Sequence, residues 1–124
     1  PDLELLPTEN CGDDQKLAHD IVCRALREHP DLGGVYISVN GQIGACEALT
    51  EMNAAGRVRL ICHDLIPANI ENVRRGVIDF LIDQDAHMQG NRPTELLLDY
   101  LLCGDKPESD RILAHIDIRN RYNV

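Results

Sequence analysis

Asn40, Asp64 and Gln84 are the side chains of this 124-residue chain best suited to holding a small polar molecule. An amide, a carboxylate and a second amide together donate to and accept from the hydroxyls of a polyol. Each stands at or just past the end of a short apolar run. Val-Tyr-Ile-Ser-Val precedes Asn40, Val-Arg-Leu-Ile-Cys and then His63 precede Asp64, and Val-Ile-Asp-Phe-Leu-Ile and then Asp83 precede Gln84. The chemistry such a set performs is recognition by hydrogen bonds. Bond-making machinery has little support, because no serine or cysteine sits in a nucleophile-elbow pattern and no glycine-rich phosphate loop is present. Gly41-Gln-Ile-Gly44 is too sparse for a dinucleotide fingerprint. His63 beside Asp64 has the residue types for acid–base work, but neighbours on a strand point to opposite sides. No catalytic residue and no cofactor is expected.

Positioning these three groups requires strands, and the runs before them have strand length. Each run is followed by a helix-like segment, the sequence form of repeated strand–helix units around a parallel sheet. Ligands of such sheets lie just beyond the carboxyl ends of the strands, so residues 40, 64 and 84 are expected on one rim. Taken alone, Asn40 is also a suitable helix N-cap and Asp64 a suitable turn residue before Ile66-Pro67. Gln84 has no evident structural duty.

The remaining pattern predicts a first strand over residues 3–6, then a helix over 13–28 with an apolar stripe of Leu17, Ala18, Ile21, Val22, Ala25 and Leu26. A second helix is predicted over 42–55, capped by Gly56, and a short third helix from Pro67 to Gly76 with the next strand over 77–82. Past Gln84, Gly90 and Pro93 predict a helix that is kinked or starts afresh near Thr94. Its second half, Glu-Leu-Leu-Leu-Asp-Tyr-Leu-Leu ending at 102, is apolar on nearly every side, which predicts burial against something outside these residues. A last strand is predicted over 112–118.

Composition narrows the classes of function. The hydrophobic share of 44% supports a packed core. A net charge of −9 argues against direct contact with nucleic acid, which needs clustered Lys and Arg. No run of about 18 uncharged apolar residues exists to cross a membrane. The start lacks an initiator Met, a basic n-region and an apolar h-region, so a cut chain is expected. Cysteines at 11, 23, 46, 62 and 103 are odd in number and without CxxC spacing, which speaks against a disulfide framework or a zinc site. Free thiols suit a reducing compartment, and a cytoplasmic location is expected. Histidines 19, 29, 63, 87 and 115 lack metal-site spacing, and no metal is expected.

The main rival from another class is a phosphoacceptor receiver domain of two-component signalling. Asp13-Asp14, Asp64 and Lys106-Pro107 imitate its acidic pair, phosphorylated aspartate and late lysine. Local structure separates them, because residues 8–12 intervene before the acidic pair and no hydroxyl residue follows the strand before Gln84.

Four stretches in this order carry a family resemblance: His29-Pro-Asp-Leu-Gly-Gly-Val-Tyr-Ile-Ser-Val-Asn40, its continuation Gly41-Gln-Ile-Gly-Ala-Cys-Glu-Ala-Leu49, Val58-Arg-Leu-Ile-Cys-His-Asp64, and Asn72-Val-Arg-Arg-Gly-Val-Ile-Asp-Phe-Leu-Ile-Asp-Gln84. From about residue 13 onward the chain resembles the C-terminal lobe of the effector-binding domain of LacI/GalR-type transcriptional regulators, which share their fold with periplasmic sugar-binding proteins. The resemblance implies an α/β fold, a three-layer Rossmann-like parallel sheet with flanking helices, forming one lobe of a type I periplasmic-binding-protein-like fold. It implies that Asn40, Asp64 and Gln84 contact a small polar effector, a carbohydrate or similar molecule, and that Asp14 stands where the family often places a stacking aromatic. Gly41 stands where an acidic residue is common. Residues 1–124 would then be the C-terminal part of an effector-binding domain, with 85–110 crossing to an N-terminal lobe outside this chain. A homodimer is implied for the full-length regulator, and DNA contact only through a headpiece also outside this chain. The alternative within the same fold is the C-terminal lobe of a periplasmic sugar-binding protein feeding a transporter.

Overall fold

A computed structural model describes residues 3–124. Helix α1 (Gln15–Glu28) starts two residues later than the spacing predicts, because Asp13 takes a left-handed backbone (φ 61°) and Asp14 becomes the N-cap. The buried stripe of α1 is Ala18, Val22, Cys23 and Leu26, whereas Leu17 is 45% exposed. Strand β1 (Gly34–Ile37) leads into helix α2 (Gln42–Glu51). That helix stops short of the predicted 55 because Asn53 adopts the left-handed conformation (φ 51°) and Ala54 and Ala55 hydrogen-bond back to Leu49. Gly56 caps no helix; its positive φ lies in the turn before strand β2 (Arg59–His63).

Helix α3 (Pro67–Arg74) opens on Pro67, whose missing N–H costs nothing at the first helical position. Strand β3 (Phe80–Asp83) begins later than predicted; Val77 and Ile78 are buried in the turn that precedes it. Helix α4 (Ala86–Cys103) is one element running through Pro93, not a fresh start near Thr94. Strand β4 (Asp117–Arg119) is shorter and later than the predicted 112–118. The predicted strand over 3–6 does not form: residues 3–10 are irregular, with Leu3 and Leu5 exposed, and no strand edge receives them. An ion pair between Arg24 and Glu9 fastens this segment to α1.

The open sheet has the order β1-β2-β3-β4. The first three strands are parallel, as expected, and β4 pairs antiparallel to β3. The register aligns Val35 with Leu60, and Ile37 with Cys62 and then Leu81. Alternation sends these to one face, where they share a core with Val22, Leu26, Ala45, Leu49 and Val73 from the helices. The opposite face stays half open, with Tyr36, Phe80 and Ile118 exposed. Right-handed crossovers between sequential parallel strands place α2 and α3 on the same covered side. The register puts the carboxyl ends of β1, β2 and β3 along one rim, carrying residues 40, 64 and 84 just past them.

Candidate functional site

Past β1 the chain bends, and the backbone of Asn40 is fixed by the loop before α1. Its N–H donates to the Asp13 carboxylate at 3.1 Å, and its carbonyl accepts from the Cys11 thiol at 3.2 Å. The N-cap role considered for Asn40 is overturned: the cap of α2 is Gly41, at φ 125°. The Asn40 side chain therefore has no hydrogen-bond partner among the described residues, and its amide lies in an exposed position on the rim. Gly41 has a physical reason for replacing the acidic residue common at this position. A Cβ there would stand 2.9 Å from the Ala18 Cβ and 3.1 Å from the Cys11 sulfur, on a backbone L side chains avoid.

Asp64 follows β2 in the left-handed region (φ 71°). Its N–H donates to the Ile82 carbonyl at 3.1 Å, tying it to β3. Its carboxylate accepts from the Gln84 side-chain amide at 3.2 Å. Two of the three expected groups are thus in direct contact, and Asn40 lies three residues past the end of the neighbouring strand β1, with no hydrogen bond to either of them. His63 points the other way, to the open face, where its Nε2 meets the Tyr36 hydroxyl at 2.6 Å and the rings stack edge-on. The opposite orientation of His63 and Asp64 separates the two groups an acid–base pair would need together.

Asp14 does not extend this set. Its carboxylate accepts the Leu17 N–H at 2.8 Å as the cap of α1, a structural duty at the position where the family resemblance expected a ligand contact. The carboxylate beside Asn40 belongs to Asp13 instead. Asp83 and Asp85 also have structural partners: Asp83 accepts from the Asp85 N–H and from Arg119, and Asp85 caps α4 at the Met88 N–H. Beyond Gln84 they line a cavity of about 450 Å³ together with Leu65, His87, Asp117 and Arg119. That cavity flanks the rim without containing Asn40 or Asp64.

Asn69 is a residue that sequence reasoning missed. It is fully buried in the first turn of α3, and its amide donates to the carbonyls of both His63 (3.1 Å) and Asp64 (3.0 Å). The available signal was a short polar side chain on the helix face that Val73 buries. All five cysteines are free; Cys103 is exposed, and the other four are buried. Burial pushes the Cys46 thiol up to about 12 and Cys62 higher, so both are inert small hydrophobes under the rim.

Against this geometry the relatives are informative. A family profile described as periplasmic binding protein domain matches residues 1–106. The xylose/arabinose-binding protein XylF of Sulfolobus acidocaldarius is 32% identical over 83 residues, covering 62% of this chain and 21% of that protein. An ABC transporter solute-binding protein from Agrobacterium vitis with bound D-fucose superposes with a TM-score of 0.87 at 21% identity, over 95% of this chain and 40% of its own. The XylFII–LytSN complex does so with a TM-score of 0.84 at 21% identity, over 98% of this chain and 42% of that one. At such identities the structures speak for the fold alone. The chain spans about a fifth of the curated relative's length and about two fifths of these solved chains. The profile match, most of the chain long, and the α/β lobe just described place the chain in the periplasmic binding protein domain family.

Proposed function

We propose that this chain forms one wall of a sugar-binding cleft in a solute-binding protein of the transporter type. The observation that carries the reading is the Gln84–Asp64 contact at 3.2 Å on the carboxyl rim of two adjacent strands, with the unpartnered Asn40 amide on the third. The amide of Gln84 holds the carboxylate in place, so ordering costs on binding are small. The free lone pairs of Asp64 accept sugar hydroxyls, while Asn40 both donates and accepts. A carboxylate at the centre of a chain of net charge −9 favours neutral sugars over sugar acids and sugar phosphates. The named relatives support the class: XylF is named for xylose and arabinose, and the Agrobacterium protein holds D-fucose. Helix α4, with no buried residue, packs in this reading on a second lobe that completes the cleft.

The LacI-type regulator reading draws no support from these relatives, nor do the homodimer and the DNA-binding headpiece implied with it. One observation still favours it: five free thiols suit a reducing cytoplasm better than an oxidising exterior. Cell fractionation of the full-length protein separates the two, because an exported protein leaves the cytoplasmic fraction and a regulator stays in it.

The site is tested by calorimetric titration of the full-length protein with D-xylose, L-arabinose, D-fucose and a sugar acid. At least one neutral sugar is expected to bind, and Asp64→Ala to weaken it by about 1.5–3 kcal/mol, the range for hydrogen bonds to a charged group. Unchanged affinity in that variant contradicts the assignment.

A further inference from the structure

We infer that Asn69 is a positioning residue that holds Asp64 in its left-handed conformation and thereby aims the carboxylate along the rim; this rests on the sugar-site reading above only where affinity is concerned. Four observations converge on it. Asn69 is fully buried although it is polar, which costs free energy unless its groups are paired. Its amide nitrogen reaches two successive carbonyls, those of His63 and Asp64, at 3.1 and 3.0 Å, and so clamps the peptide unit on either side of the Asp64 Cα. Asp64 holds φ 71°, a region that aspartate enters more readily than most residues but at a cost that bonds to its flanking peptides offset. The carboxylate so placed meets the Gln84 amide at 3.2 Å.

The two sides of the clamp differ in what they secure. The Asp64 N–H is held by the Ile82 carbonyl of β3, and its carbonyl by Asn69 of α3. Fixing both ends of one residue leaves φ and ψ little freedom, whereas a bond at one end alone leaves a hinge. The clamp comes with a buried orphan, because the Asn69 Oδ1 has no hydrogen-bond partner among the described residues. An apolar residue at this place would avoid that orphan. An asparagine there points to a duty that packing does not require, and the two carbonyls beside the rim carboxylate are that duty.

The test has two arms on the full-length protein. In the first, NMR of the unliganded protein reads the intraresidue HN–Hα cross-peak and coupling of Asp64, both of which distinguish left-handed from extended backbone. The wild type is expected to give the left-handed pattern and Asn69→Ala to lose it. Retention of the left-handed pattern in Asn69→Ala overturns the proposal, whatever the protein binds. In the second, titration with D-xylose, or with D-fucose if xylose does not bind, compares wild type, Asn69→Ala, Asp64→Ala and the double variant. Asn69→Ala is expected to weaken binding roughly five- to tenfold when Asp64 is present and to cost nothing further when it is absent, since one or two neutral hydrogen bonds are at stake. An equal loss in both backgrounds overturns action through Asp64. Val73→Ala, buried on the same helix face but without contact to the loop bonds, serves as the control for lost stability. If it weakens binding as much as Asn69→Ala, the role is merely structural and the proposal fails. Should Asn69→Ala not fold, Asn69→Thr keeps part of the volume without the forked amide, and the same outcomes apply to it. A wild type that binds neither sugar sinks the sugar-site reading, while the NMR arm still decides the clamp.

Discussion

Helices α2 and α4 sit in the same chain under opposite conditions. Six of the ten residues of α2 are buried, from Gln42 to Leu49, whereas none of the 18 residues of α4 is. The difference does not come from apolar content, because α4 carries Leu97, Leu98, Leu101 and Leu102, all at least half exposed. It comes from the presence of a partner. α2 meets α1 so closely that a glycine is required at the crossing, whereas no described element covers α4. The half of the molecule that bears Asn40 and Asp64 is therefore a packed scaffold. Helix α4, past Gln84, has no buried residue, and in the proposed reading a second lobe covers it. A binding rim needs the first kind of support, since half an ångström of play in a side chain weakens a hydrogen-bonded site.

The sharpest way to break this contrast is at the α1–α2 crossing. A Cβ on Gly44 would stand 1.8 Å from the Gln15 carbonyl oxygen, a backbone atom that cannot swing aside. Gly44→Ala is expected to cost about 4 kcal/mol, above the usual range for overpacking, in urea unfolding followed by circular dichroism. A loss below about 1 kcal/mol means the two helices are not packed as described. Next in size is a paired truncation. Leu60 is fully buried and Leu101 is 66% exposed, so Leu60→Ala should cost about 3 kcal/mol and Leu101→Ala no more than about 0.5 in this 124-residue chain. Equal costs would erase the distinction between scaffold and surface. In the full-length protein the Leu101 cost is expected to rise if a second lobe covers it.

A smaller effect belongs to the scaffold alone. His19 on α1 bonds Glu51 of α2 at 2.9 Å and its neighbour Asp20 at 3.2 Å, and these carboxylates raise its pKa above the ordinary histidine value. A group with a raised folded pKa contributes stability below the unfolded pKa and loses that contribution as pH rises through the folded one. The wild type should therefore lose a small increment of stability as the pH climbs from the ordinary histidine range past the raised value. His19→Asn should not show that step, and a pH profile identical in the two proteins contradicts the link between the helices.

What could be read from the sequence divides along the same line. The parallel block was legible because its signals are local: Pro67 opens a helix, Gly76 follows one, and each strand run ends on the polar residue that reaches the rim. Element ends were less legible where one residue's backbone decides them. Asp13 and Asn53 in the left-handed region shorten two helices, and nothing in their neighbours announces it. Elements that need a partner were misread. Residues 3–6 have strand composition but no ladder to join, and β4 is defined by three residues pairing antiparallel with β3. Helix α4 runs on through Pro93 with that turn exposed, so of the two expectations for this stretch the fresh start near Thr94 is the one that fails. In the candidate site, the sequence pointed to side chains at strand ends, two of which touch, whereas Asn69, bonded to the carbonyls beside one of them, lies in a helix that reads as ordinary.

The account turns on the rim of Asn40, Asp64 and Gln84 receiving a neutral sugar, and side-chain amide NMR tests that most directly. Titrating D-xylose or D-fucose into the full-length protein should shift the NH2 resonances of Asn40 and Gln84 together, with one affinity, and leave those of Asn123, bonded to the Ile118 carbonyl of β4, in place. Shifts confined to other amides, with Asn40 and Gln84 unmoved at saturation, would contradict it.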